Sequence, residues 1–300
     1  MKAKEITISL CWTLAFGVFA FAEPPDSPAA NGKQLLDQAI RRMEFHPRLT
    51  ARLVQKVDVF GRRFRGSGVY QQGTAGKFSY ELRLQVSPNQ PPCVLSQVCD
   101  GNWVWETVYL AGKQSSRKIN LTRFRRQAKV LPGCVAARES FRLGGLPQLL
   151  RSLRADFTFS SASSERAEQG IIRVIRGTWN KQALARLLPQ QAEAIQAGKP
   201  ADLSKLEPIL PDEVVVALGE DLFPRRIEFL RRSQEESIWT RVIGGKKPEP
   251  RRLLTMTFTN VRHGVENEQD FVIPYDDPRF LEAEDRTNPW IVKIRRDPPK

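Results

Sequence analysis

"KFSYELRLQV", residues 77–86, alternates Phe78, Tyr80, Leu82 and Leu84 with Ser79, Glu81, Arg83 and Gln85. Successive side chains of a strand point to opposite faces, so this stretch reads as a half-buried strand with one large apolar face. The same period of two governs its neighbours. "LTARLVQKVDVF" from Leu49 and "RFRGSGVYQQG" from Arg63 precede it, while "CVLSQVC" and "NWVWETVYL" follow it around Asp100-Gly101. Asp-Gly suits the positive-φ positions of a tight turn, so 93–110 reads as a hairpin with a two-residue loop. In that register Val98 faces Trp103 and Ser96 faces Trp105, and both indoles share one side. Beside the apolar face of 78–86 they make a broad aromatic concavity. The two rings either line a cavity there or pack as ordinary core under a helix.

Outward from this centre the period changes. "GKQLLDQAIRRMEF" puts Leu35, Leu36, Ala39, Ile40 and Met43 on one helical stripe. "LTRFRRQAK" and "ARESFRLGGLPQLLRSL" are helical, the second interrupted at Gly-Gly-Leu-Pro, and "KQALARLLPQQAEAIQAG" is helical on both sides of Pro189. "DFTFSSA" with "GIIRVIRGTW" reads as a strand pair, and "KPADLSKLEPILPD" as a linker. Strands return in "EVVVALGED", "PRRIEFLRR", "RLLTMTFTNVRHG" and "QDFVIPYDDPRF". Many antiparallel strands with a few helices make an α+β plan, one curved sheet with helices on one face.

The first residues have a separate logic. Lys2 and Lys4 precede an uncharged, mostly apolar run from Ile6 to Ala22 that ends Ala20-Phe21-Ala22. This is the pattern of a cleaved secretory signal over 1–22, and the run is short for ~30 Å of hydrocarbon. Cys11 follows the bulky Leu10 too early to be a lipidation site. The mature chain is expected to start at Glu23 in an oxidising, periplasmic or otherwise exported space, with a Pro-rich tether over 23–32. The net charge of +14 falls by one when the leader takes Lys2, Lys4 and Glu5 with it. Basic residues are scattered beside apolar ones, as in "GRRFR", "TRFRRQAK", "PRRIEFLRR" and "KIRR". A solvated outer face explains that spread. An anionic membrane surface or an acidic protein partner is the alternative, and export argues against nucleic acid.

Little reactive chemistry stands out. Cys93 and Cys99, if joined by an extended strand, lie roughly 20 Å apart, whereas a disulfide needs Cα atoms within about 7 Å. Cys134 is then left to bridge one of them. Cys93 is preferred because both it and Cys134 follow a turn, "PPC" and "PGC". His46 and His263 are far apart in the chain, with no Gly-x-Ser-x-Gly elbow and no clustered cysteines. "YDDPRF" with Glu282 and Glu284 lacks regular calcium-ligand spacing and reads as a solvated terminal loop. No catalytic residue, metal or cofactor is expected.

The order of segments resembles the periplasmic outer-membrane lipoprotein carrier and lipoprotein-sorting family (LolA-like). Two pieces carry the likeness: "DGNWVW", and the C-terminal "FTNVRHG" strand followed by a polar spacer, Phe271 and Pro274. The resemblance implies an unclosed antiparallel β half-barrel whose concave face is covered by helices, over residues 33–280. An enlarged helical insertion spans about 110–215, and 281–300 form a tail. It also implies an apolar cavity for acyl chains, lined by Phe78, Tyr80, Leu82, Leu84, Trp103, Trp105, Met256 and Phe258. Carriers of this family place a basic residue and Pro after the second strand to hold the helices shut. Here the matching place reads "YQQGTAGKFSY". The expectation is a monomeric, non-enzymatic binder of a lipid or lipoprotein acyl chain that shuttles it between membranes. The alternative is an envelope regulatory or scaffold protein that uses the fold to bind a membrane-protein partner. A hydrolase ranks third.

Overall fold

The computed structural model describes residues 31–85, 90–127, 135–167, 170–232, 249–264, 271–272 and 282–288. The expected leader and nearly all of the tether fall outside that range, as do most of "QDFVIPYDDPRF" and Pro274. Helix α1 (Gly32–Phe45) opens on Asn31, whose side chain accepts from the Lys33 N–H, and buries the expected stripe from Leu35 to Met43. Strands β1 (Leu49–Val59), β2 (Arg62–Gln72), β3 (Phe78–Gln85), β4 (Cys93–Cys99), β5 (Trp103–Leu110) and β6 (Lys113–Asn120) form a continuous antiparallel meander. Helices α2 (Leu121–Gln127) and α3 (Val135–Asp156) follow, then β7 (Phe157–Phe159), β8 (Ser163–Ala167) and β9 (Gly170–Trp179). After the short α4 (Lys181–Leu187) and α5 (Ala192–Gln196) come β10 (Glu213–Leu218), β11 (Pro224–Arg231), β12 (Arg251–His263) and β13 (Glu284–Asp285).

All thirteen described strands belong to one sheet. Its path runs β13-β6-β5-β4-β3-β2-β1-β12-β11-β10-β9-β7, with β8 added beside β9. Every pairing is antiparallel except β13 with β6, and the two ends of the path do not meet. The expected α+β half-barrel is therefore present and open. The stretch 110–215 is not only a helical insertion, because β6 through β9 lie within it and extend the sheet on both sides.

Register decides which face each side chain occupies. Tyr80 pairs with Tyr70 on one side and Gln97 on the other; Phe78 pairs with Gln72 and Cys99. Across the middle, Leu53 pairs with Phe258, and Met256 with Ile227. Directly paired residues share a face, so these side chains form one concave surface, which α1 and α3 cover. Most of the buried apolar residues form a single core there. Among the described residues no helix is long and apolar enough to cross a membrane.

Candidate functional site

The concave face is filled. Phe141 of α3 lies 5.3 Å from Tyr80 and 6.0 Å from Tyr70, ring centroid to centroid, and Phe223 meets Phe258 edge-on at 5.7 Å. Phe78, Tyr80, Leu82, Met256 and Phe258 are buried in this cluster, with Leu84 packed against it half-buried. These side chains pack as core, and of them Phe78 also borders the cleft where β2 turns into β3.

Trp103 and Trp105 require a correction. Val98 pairs with Trp105 across the β4–β5 hairpin, and with Ser79 across β3–β4. The indoles therefore share a face with Ser79, Glu81 and Arg83, on the convex side, away from Phe78 and Tyr80. A strand's two faces alternate residue by residue, so the β3–β4 register alone settles the side, and the link between those strands carries no sequence signal for it. The turn also sits one residue later than Asp-Gly suggested. Gly101 takes φ 98° as the first central residue and Asn102 is the second. The Asp100 carboxylate accepts from the Asn102 and Trp103 N–H groups at 2.8 and 2.7 Å. Trp105 is buried against Val98, Trp103 and Ala283, with the Lys118 ammonium 4.9 Å from its ring centroid. The two rings clamp a segment beyond the expected boundary at 280: β13 pairs with β6, and Thr287 Oγ1 accepts from the Asn120 N–H at 2.8 Å. Glu284 is thus part of the sheet rather than of a solvated loop.

The cysteine expectation is also revised. Cys93 and Cys99 carry free thiols, and Cys134 lies outside the described residues. Burial pushes the Cys99 thiol up to about 11, which leaves it protonated and inert.

An actual cavity opens where β2 turns into β3. It holds about 810 Å³ between that turn, α2 and α3. Met43, Phe78, Leu121, Phe124 and Leu143 supply apolar lining, and Lys77, Arg125 and Arg151 border it together with Glu44, to which Arg151 is paired. Asp156 closes the far wall. Its burial pushes the carboxyl up to about 6, and Arg186, with Nη2 3.1 Å from Oδ1, pulls the other way. His46 and His263, far apart in the chain, border one small recess in the fold. His263 Nε2 sits 2.8 Å from Asp221 Oδ2, which also accepts from Arg225 at 2.9 Å.

Three polar ties fasten the helices over the sheet, and none was apparent in the sequence. Tyr70 Oη accepts from the Leu146 N–H at 3.1 Å and donates to Gln72 Oε1 at 3.1 Å. Gln72 Nε2 in turn donates to the Met43 carbonyl at 3.1 Å, so β2 holds α3 and α1 at once. Both β2 members of this hydrogen-bond chain, Tyr70 and Gln72, lie within "YQQGTAGKFSY". The third tie is Glu106, buried on the concave side of β5, which accepts from Arg142 Nε and Nη2 at 3.0 and 2.6 Å and also binds Arg117. The local pattern carries little signal for them, because Glu106 lies opposite the Trp103 and Trp105 phase of β5, and its place on the concave face follows only from strand register.

No family model matches the sequence, and no curated protein matches it. Solved structures do. The MucA/MucB complex from Pseudomonas aeruginosa aligns over 81% of this chain and 61% of that one, at 10% identity and TM-score 0.38. The aligned part thus spans less than two thirds of that protein. LprF from Mycobacterium bovis aligns over 78% of this chain and 93% of its own, at 10% identity and TM-score 0.36. A LolA superfamily protein from Nitrosomonas europaea aligns over 82% and 100%, at 8% identity and TM-score 0.31. These likenesses are distant, all with TM-scores below 0.5; the open antiparallel sheet roofed by helices, which is the architecture the sequence resemblance implied, is seen in this chain's own strand order.

Proposed function

We propose that this protein is an exported, non-enzymatic binding protein that holds an acyl chain of a lipid or lipoprotein. The observation that carries the reading is the cleft of about 810 Å³ with its apolar lining and the basic side chains of Lys77, Arg125 and Arg151 around it. Methylenes leaving water contribute about 0.8 kcal/mol each, so one long chain supplies useful affinity, and guanidinium groups suit an anionic headgroup. The proposed site is thus the space between helices and sheet at the β2–β3 end of the molecule, not the filled middle of the concave face. Shuttling between membranes is the extended form of the same reading. A second reading, a scaffold that binds a membrane-protein partner, draws on the solid filling of the concave face by Phe141, Tyr80 and Phe258.

The test is mass spectrometry of the organic extract of protein purified from its native envelope. Ala155 borders the cleft from an exposed position on α3, so Ala155→Trp narrows it from the solvent side. Stoichiometric acyl lipid in the parent, depleted at least about tenfold in Ala155→Trp, supports the binder. Trp103→Ala/Trp105→Ala, on the convex side, retains the lipid. A clean extract from protein that also ignores added lipid moves the assignment to the scaffold.

A further inference from the structure

Two hairpins turn at the end of the sheet opposite the β2–β3 turn. The β1–β2 tip is Phe60-Gly61, with φ of 52° and 71°, and the β5–β6 tip is Ala111-Gly112, with φ of 50° and 79°. Both central residues of such a turn sit in the left-handed region, where Asn, Asp and Gly are preferred and a bulky aromatic is strained. Phe60 is there nonetheless, and 75% of its surface is exposed. Among the described residues neither local propensity nor packing accounts for that ring. Its surroundings are basic: Lys56, Arg62, Arg63 and Arg65 are all exposed. The one acid of the hairpin, Asp58, is taken by Arg63 at 3.0 Å and by Arg251 at 2.6 Å. The second tip repeats the pattern with Leu110 51% exposed, Tyr109 39% exposed and Lys113 beside them.

We infer that the β1–β2 hairpin is an anchor for anionic membrane surfaces. Phe60 enters the boundary between headgroups and acyl chains, and Arg62, Arg63 and Arg65 meet the phosphates, with Leu110 as a second apolar point of contact. An aromatic ring at that depth flanked by cations is the composition of interfacial anchors. The shape separates a bilayer from an acidic protein. Phe60 is a convex apex, and successive strand residues alternate faces, so Arg62 and Arg63 spread charge to both sides of the hairpin. A fluid layer of headgroups surrounds such an apex on all sides, whereas a protein partner covers one face and needs a pocket for the ring. This surface lies away from the cleft, so it does not depend on the acyl-binding reading.

Vesicle co-sedimentation of the purified protein tests it, with phosphatidylcholine vesicles against the same vesicles carrying phosphatidylglycerol. The protein is expected to sediment with the anionic vesicles and to be released by added salt. Phe60→Asn places a residue suited to positive φ at the tip, so its Tm holds or rises while vesicle affinity falls about tenfold or more. Arg62→Ser/Arg63→Ser weakens binding to anionic vesicles alone. Protein that ignores phosphatidylglycerol vesicles, or a Phe60→Asn variant that binds them as well as the parent, overturns the inference. So does retention on polyglutamate that requires Phe60 in protein that ignores vesicles, which would assign the tip to an acidic polypeptide.

Discussion

At the scale of single residues, Gly145 and Tyr70 explain each other. Gly145 breaks α3 with φ 63° and ψ −156°, a region closed to residues with a Cβ, and this break aims the Leu146 N–H at Tyr70 Oη. An added Cβ at Gly145 stands 2.7 Å from that oxygen and 3.3 Å from Phe78 Cγ. Tyr70→Phe leaves the buried Leu146 N–H and Gln72 Oε1 without this partner, at a cost of about 1–3 kcal/mol. Gly145→Ala costs about as much from backbone strain alone. Urea unfolding of both single variants and the double variant checks the pairing. Because Tyr70→Phe removes the oxygen that the new methyl strikes, the double variant is expected to lose less than the sum of the two. Strict additivity would mean that the kink and the hydroxyl are independent.

At the scale of elements, the end of α3 contains a pH-dependent strain. Asp156 is buried beside Arg186, and burial carries its carboxyl up to about 6, above the roughly 3.9 of an unfolded chain. A carboxyl raised in this way favours the folded state while protonated. Its contribution is complete below about pH 4 and is lost as pH climbs through 6. Thermal unfolding should therefore show a downward slope in Tm from pH 4 to 7 that Asp156→Asn flattens, since the amide keeps an oxygen for Arg186. A slope that survives in the variant belongs to another group. The elements themselves were mostly legible. The alternation of Phe78 to Leu84, the stripe from Leu35 to Met43 and the break at Gly-Gly-Leu-Pro are local signals, and each became the expected element. β6, whose "KQSSRKIN" has a single buried residue, Ile119, left no apolar alternation to read. Pairing between strands is non-local. A Trp on a strand of known phase still faces either side of the sheet until its neighbour's register is fixed, which is why Trp103 and Trp105 were assigned to the wrong face. The cleft was illegible for the same reason, since Met43, Phe78, Phe124 and Leu143 come from four separate elements.

At the scale of the whole molecule, an open sheet has two edges, and an unpaired edge strand invites pairing with another chain. Here the β6 edge is partly closed by the chain's own C-terminal segment. Glu284 lies opposite Arg117 and Asp285 opposite Lys118, and the Arg286 N–H donates to the Lys118 carbonyl at 2.9 Å. Ala283 sits on the Trp105 ring, so the paired indoles on the convex side act as a seat for this closure. Removing residues 282–300 uncovers both the ring and the edge. Asn120 then loses the Thr287 hydroxyl that accepts from its N–H, and its amide exchange should accelerate while amides of β1 and β2 stay protected. Lost burial of one indole face lowers stability by about 1–2 kcal/mol. The bare edge, basic at Lys113, Arg117 and Lys118, limits self-pairing in low salt through charge repulsion, so sedimentation velocity should show association only as salt screens it. A truncated chain with unchanged Asn120 exchange and no salt-dependent association would show that the segment rests on the sheet without closing it.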